Sequence, residues 1–349
     1  MARITAASSS FPDHMLSQEE ARRAAERAYA GHPRLLHLLK VFDSSGVRRR
    51  FFAFPPAYYL EGRSFGARNE DYITGATDLA ERAARACLER ASVGATEVDH
   101  LILVTTTGLA TPSLDARVAA RLGLREDVRR WPLFGLGCAG GAGAVIRAAD
   151  LLAAAPRGRV LAVAVELCGQ VFSPRALEPV DVVGAALFGD GAAAALLQGE
   201  ALPGAGPRVV ATRTALFPGT QHLMGWKFTS DGMRLLLSPE VADFVGDRLK
   251  GAVEGFLREQ GVMAGSISRW ILHPGGNRIL EEYRKAFDLQ ESALQFSRAS
   301  LAGAGNVSSA SVLLVLADVL AASSPGDGER GLMVGLGPGF GAEMALLEW

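Results

Sequence analysis

Apolar and polar positions follow two periods along this chain, and each change of period marks an element. Ser17 and Glu20 make a capping-box pattern that opens a helix over 17–30, an Ala/Arg-rich stretch ended by Gly31. Leu79, Ala83, Ala86, Cys87 and Arg90 recur at helical spacing over 77–92, with Asp78 and Glu81 favouring the helix start. His100–Thr105 reads as a strand opening into a loop, Thr106–Ser113. Upstream, Arg48, Arg49 and Arg50 precede an aromatic segment, Phe51–Phe54, that Pro55 and Pro56 close.

From Gly137 the pattern repeats. Gly137-Cys138 opens an Ala-rich helix containing AADLLAAAP, then a strand (VLAVAVEL), then FGDGAAAALL. Gly305-Asn306 opens a helix containing LADVLAASSP, then LMVGL, then GFGAEMALL. Cys138 to Asn306 and Asp150 to Asp318 share one offset of 168 residues. That offset indicates an internal duplication with a period too long for a solenoid. Two such halves, 1–202 and 203–349, predict an α/β body with two sheets and helices packed between and outside them. The Pro/Gly-rich segment Gly199–Pro207 marks the join.

Composition narrows the class. Hydrophobic residues form 49% of the 349 and charged residues 21%, enough for a large core. Thirty-six basic against 37 acidic side chains leave a net charge of −1, which disfavours a nucleic-acid-coating role. Cys87, Cys138 and Cys168 form no CxxC pair, so neither disulfides nor a zinc site is implied, and a reducing cytoplasm fits. The start lacks a signal-peptide plan, and no membrane segment is expected.

Two readings compete for Gly135-Leu136-Gly137-Cys138-Ala139-Gly140. It matches G-x-G-x-x-G, with Glu166 ending the next strand as a ribose-binding acid of an NAD(P)-binding unit would. Against it, 126–134 is polar, contains Pro132 and makes a poor buried strand. The alternative is a nucleophilic Cys138 on a tight turn at a helix start, where backbone N–H groups favour a thiolate. His273, ending the strand Trp270–Leu272 ahead of Pro274-Gly275-Gly276-Asn277, is the candidate partner. Asn306 reads both as a helix cap and as an amide donor. His14, His32, His37, His100 and His222 read as surface or packing residues, and no metal is implied.

GLGCAGG around Cys138, LFGDGAAA at 187–194, ILHPGGN at 271–277, AGNVSSAS at 304–311 and GLGPGFGAE at 335–343 resemble the signature set of type III polyketide synthases. That is the chalcone-synthase-like branch of the thiolase fold, a layered αβαβα body. The resemblance spans residues 100–349. It implies that Cys138 carries an acyl group, that His273 and Asn306 hold a thioester carbonyl, and that Phe188 gates the junction of CoA tunnel and cavity. It also implies that Gly337, Pro338 and Gly339 shape the cavity floor and that Arg48, Arg49, Arg50 and Gly276 lie near CoA. Substrates would be malonyl-CoA and an acyl-CoA starter, with no cofactor, in a cytoplasmic homodimer. A β-ketoacyl synthase III-like enzyme and a non-catalytic thiolase-fold subunit remain as alternatives.

Within the family, Trp226 stands where a small residue is usual and Leu235 where an aromatic one is. Thr111, Cys168, Val171 and Gly184 fall at cavity positions. This combination is similar to bacterial alkylpyrone and alkylresorcinol synthases with fatty acyl starters. A chalcone- or stilbene-like enzyme with an aromatic starter is the competing expectation.

Overall fold

A computed structural model gives the structure, described here for residues 1–172, 178–322, 326 and 328–349. The Ser323–Pro325 end of the second repeat lies outside the described residues.

The first half supplies strand β1 (Ala2–Ser10), a small hairpin of β2 (His14–Ser17) and β3 (Arg49–Phe52), then β4 (His100–Val104), β5 (Arg129–Leu133), β6 (Arg159–Leu167) and β7 (Asp190–Gly199). The second half supplies β8 (Arg208–Leu216), a hairpin of β9 (Met224–Thr229) and β10 (Gly232–Leu237), β11 (Arg269–Leu272), β12 (Arg330–Gly337) and β13 (Gly341–Glu348). The duplication is written in the topology. β4 runs parallel to β6, β6 antiparallel to β7, and β7 antiparallel to β1. The second half repeats this order with β11, β12, β13 and β8. Only β5 has no counterpart among the described residues.

The expected two sheets are joined. β1 pairs with β8 at just Ala2↔Val209 and Arg3↔Arg208, so nine strands form one continuous sheet that hinges at this seam. Between its two arms lie helices α3 (Gly140–Ala154) and α7 (Ser311–Ala322), the two copies of one repeat helix. Their small and aliphatic side chains share a core with both arms, including Val145, Ile146, Val312 and Leu316. Outside the first arm packs α2 (Phe65–Ala91), and outside the second α5 (Lys250–Glu259) and α6 (Asn277–Ala286). The result is five layers with three cores.

One expectation holds and two change. The capping box at Ser17 is present, and its helix α1 spans Gln18–Ala28. The helix expected over 77–92 starts a dozen residues earlier, capped by Ser64, because its first turns are half exposed and carry little apolar periodicity. The stretch containing Pro132 is a strand after all, β5, but an exposed edge strand, where a residue without an N–H is tolerated. Gly137–Ala154 is also long and apolar enough to cross a bilayer, yet two thirds of it is buried between the arms of the sheet.

Candidate active site

Cys138 sits in a 3-10 turn, Gly137–Ala139, immediately before α3. A Cβ at Gly137, whose φ is +49°, would come within 2.4 Å of Pro338, and one at Gly140 within 2.4 Å of Val104. Gly137 and Gly140 of the G-x-G-x-x-G match therefore admit neighbouring side chains, and the space a pyrophosphate needs beside them is filled. Glu166 is equally committed. Buried, it accepts hydrogen bonds from the Thr106 N–H and from the hydroxyls of Thr106, Thr107 and Ser309. The dinucleotide reading fails on both residues.

Cys138 is buried, and its thiol donates to the Ser308 hydroxyl at 3.6 Å. His273 follows β11, its backbone N–H held by the Val334 carbonyl at 3.0 Å. Asn306 combines both expected roles. Its side-chain oxygen accepts the Ser308 N–H at 2.8 Å, while its amide donates to the Gly275 carbonyl at 3.2 Å. That second bond ties the two motifs of the second half together. Ser308 thus connects to both Cys138 and Asn306; the Ser-Ser pair after Asn306 was the sequence signal for it.

Burial governs the charge states. It pushes the Cys138 thiol up to about 12, helped by the nearby Glu166 charge, against hydrogen bonding that lowers it. It pushes His273 down to about 4, and neither ring nitrogen has a partner. Burial thus disfavours the charged form of each group, the thiolate as well as the imidazolium. The helix start that favours a thiolate is therefore opposed here by desolvation.

Two cavities meet at Phe188, at the C-terminal end of α4 (Pro179–Leu187). The outer one, about 640 Å³, is lined by His273, Gly276, Asn306 and Phe188. The inner one, about 130 Å³ and mostly apolar, is lined by Phe188, Cys168, Val171, Gly184, Trp226 and Leu235. Trp226 and Leu235 face each other across the β9–β10 hairpin as register partners.

Other expected residues fall elsewhere. Thr111 is exposed and lines neither cavity. Gly337 and Pro338 buttress the Cys138 turn instead of flooring the cavity: a Cβ at Gly337 would come within 2.2 Å of the Leu136 carbonyl. Gly339, in the β12–β13 turn, also lines neither cavity. Arg50 is 1% exposed and its guanidinium bonds the carbonyls of Ala185 and Phe188 and the Gln18 side chain, so it braces α4 and is not free for phosphate. Arg48 and Arg49 are exposed and outside both linings. The cation that does line the outer cavity is Arg278, directly after the HPGGN motif and paired with Asp243 at 2.7 Å. His100, expected as a surface or packing residue, is a packing one: it is buried and accepts the Trp131 indole N–H at 3.2 Å.

Residues 2–201 match the family of chalcone and stilbene synthases, N-terminal domain, and residues 208–348 match its C-terminal domain. A 1,3,6,8-tetrahydroxynaphthalene synthase of Streptomyces peucetius subsp. caesius is 42% identical over 315 residues, 89% of this chain and 83% of that protein. One of Streptomyces coelicolor is 34% identical over 349 residues, 100% of this chain and 92% of that protein. The crystal structure of 1,3,6,8-tetrahydroxynaphthalene synthase from Streptomyces coelicolor A3(2), a bacterial type III polyketide synthase, superposes with a TM-score of 0.96 at 33% identity, covering 99% of each chain. With the repeated topology and the motifs in family order, the chain belongs to the chalcone and stilbene synthase family: it is a type III polyketide synthase, an acyltransferase of thiolase-like fold that works on CoA thioesters without a cofactor.

Proposed function

We propose that Cys138, His273 and Asn306 carry out iterative decarboxylative condensation of malonyl-CoA. The observation that carries this is the shared lining of the outer cavity by His273, with two unpartnered ring nitrogens, and Asn306. The Cys138 thiol passes its proton to the imidazole as it attacks an acyl-CoA, and CoA leaves as the thiol. Malonyl-CoA then loses CO₂, and the enolate oxygen is stabilised by the imidazole and the Asn306 amide, worth about 3–4 kcal/mol per donor. The enolate carbon attacks the Cys138 thioester carbonyl, the carbon–sulfur bond breaks to release the Cys138 thiolate, and the extended chain stays on CoA until it is passed back to Cys138. Within this reading the 1–202 half provides the nucleophile and the 203–349 half the donors.

The product is a compact polyhydroxylated aromatic of the tetrahydroxynaphthalene kind. The names of the relatives at 42% and 34% identity support this. So does the inner cavity, since about 130 Å³ is small beside the roughly 300–1,000 Å³ that drug-sized ligands occupy. The alternating oxygens of such a ring are the pattern left by head-to-tail two-carbon units, so malonyl-CoA serves as starter and extender. A second reading, a fatty acyl starter giving an alkylpyrone or alkylresorcinol, is favoured by one feature. The inner cavity runs along the alanine face of α1 (Ala21, Ala25, Ala28) and reaches the surface at Met15 and Leu60. Each buried methylene there contributes about 0.8 kcal/mol.

Mass spectrometry of products from malonyl-CoA alone, then with long-chain and cinnamoyl-type CoA in competition, decides between them. A carbocyclic aromatic from malonyl-CoA alone supports the first reading, alkylated products in competition the second. No CO₂ release from malonyl-CoA would leave a non-catalytic subunit. The proposal includes a cytoplasmic homodimer; the exposed Trp131 and Phe134 at edge strand β5 support self-association, which light scattering tests.

A further inference from the structure

The condensation steps above leave one carboxyl of the inner cavity without a task. Asp181, in the first turn of α4, lines that cavity. Of the other polar groups there, the Cys168 thiol is raised well above its ordinary value by burial, and the rest are engaged or peripheral. Arg50 is bound to carbonyls, the Tyr59 hydroxyl donates to Asp190 at 3.3 Å, and His14 is exposed at the mouth. Among the described residues Asp181 accepts a hydrogen bond from the Glu178 N–H alone, at 3.1 Å. Outside that lining, just past the end of α1, the Tyr29 hydroxyl is buried without a partner among the described residues, and the Asp181 charge helps hold that phenol protonated. A carboxylate thus faces the apolar space where a poly-β-ketone would fold.

We propose that Asp181 is the acid–base catalyst of ring closure, a role that rests on the condensation reading. The Asp181 carboxylate removes a proton from a methylene carbon lying between two carbonyls of the enzyme-bound chain. The electron pair left on that carbon forms the new carbon–carbon bond to a second carbonyl carbon. The π pair of that carbonyl moves to its oxygen, and Asp181 returns the same proton there. Nothing is oxidised or consumed. Water loss and enolisation then give the aromatic ring.

The surroundings make this carboxylate a stronger base than a solvated one. Desolvation raises the Asp181 carboxyl above its ordinary value; the Glu178 N–H and the Arg234 charge on β10 lower it, and the Glu178 charge raises it. Other packed elements contribute little that is free. On α1, Arg22 pairs with Glu26, and His37, Lys40 and Asp43 on the preceding short helices are exposed.

The test uses the full enzyme with malonyl-CoA, scoring carbocyclic aromatic product per CO₂ released against pyrone, the lactone that an unassisted chain forms. Asp181→Asn keeps an oxygen for the Glu178 N–H, so its thermal midpoint should match the wild type. Its carbocycle yield per CO₂ should fall at least tenfold, with pyrone rising, and Asp181→Glu should recover part of it. The wild-type carbocycle share should fall as acid protonates Asp181, and that pH dependence should vanish in Asp181→Asn. If Asp181→Asn fails to fold, Asp181→Ser, also a helix-start residue, takes its place. An unchanged carbocycle-to-pyrone ratio and pH profile would overturn the assignment. Absence of CO₂ release by the wild type would instead overturn the condensation reading itself.

Discussion

Phe188 and Asn306 are joined backbone to backbone as a parallel bridge, although they come from different halves of the repeat. The Asn306 N–H donates to the Leu187 carbonyl at 2.8 Å, and the Gly189 N–H donates to the Asn306 carbonyl at 3.1 Å. One bridge therefore fixes both the ring between the two cavities and the amide proposed to hold the enolate.

Gly305 makes that bridge possible. Its φ is +71°, and a Cβ there would approach the Leu187 carbonyl oxygen and Arg50 Cγ at 2.7 Å each. Gly305→Ala should destabilise the protein by about 1–3 kcal/mol, from the backbone conformation and displacement of the bridge. Urea denaturation measures this. A midpoint equal to the wild type would mean the bridge is not needed at this position.

Asn306→Ala should suppress CO₂ release from malonyl-CoA by about 10²–10³ while affecting starter loading much less, because the enolate charge appears only after malonyl-CoA binds. Asn306→Asp keeps an oxygen for the Ser308 N–H and serves as the structural control. Radiolabelled starter on the enzyme, followed separately from CO₂, reads the two steps. Equal losses in both would reduce Asn306 to a cap.

His273 ties stability to pH. Its folded value, about 4, lies below the ordinary 6.5, so the unfolded chain binds the extra proton between those limits. The contribution is therefore fully present above pH 6.5 and is lost as pH falls toward 4, about 3 kcal/mol in all. Asp190, whose buried carboxyl is raised to about 7, works in the opposite sense. The difference between the wild-type and His273→Gln stability profiles isolates the histidine, and parallel profiles would contradict its neutral burial.

Cys138→Ala should abolish product, since no thioester can form. With its thiol pushed up to about 12, free Cys138 should alkylate slowly with iodoacetamide at pH 7, and faster in proportion to thiolate as pH rises. Cys87, on α2, is also fully buried and raised to about 12, so it offers no faster competing site. Peptide mapping after labelling checks both. Rapid modification of Cys138 at pH 6 would show a standing thiolate.

Much of the architecture was legible in the chain itself. The shared offset of Cys138/Asn306 and Asp150/Asp318 identified the repeat, because equal spacing places equivalent residues at equivalent helix starts. Capping at Ser17 and the strand before His273 followed from local chemistry, which needs only near neighbours along the chain. What only the folded molecule decided depends on distant contacts. Arg48, Arg49 and Arg50 look alike in sequence, yet Arg50 is taken into the interior by carbonyls that α4 presents, and the exposed pair stays outside both cavities. Pro338 is directed at the Cys138 turn by the β12–β13 hairpin, and Asp181 reaches the inner cavity because α4 packs beside the β9–β10 hairpin. The charge states belong to tertiary structure as well: a helix start favours a thiolate in water, but burying Cys138 and His273 together removes the solvent that would stabilise either charge.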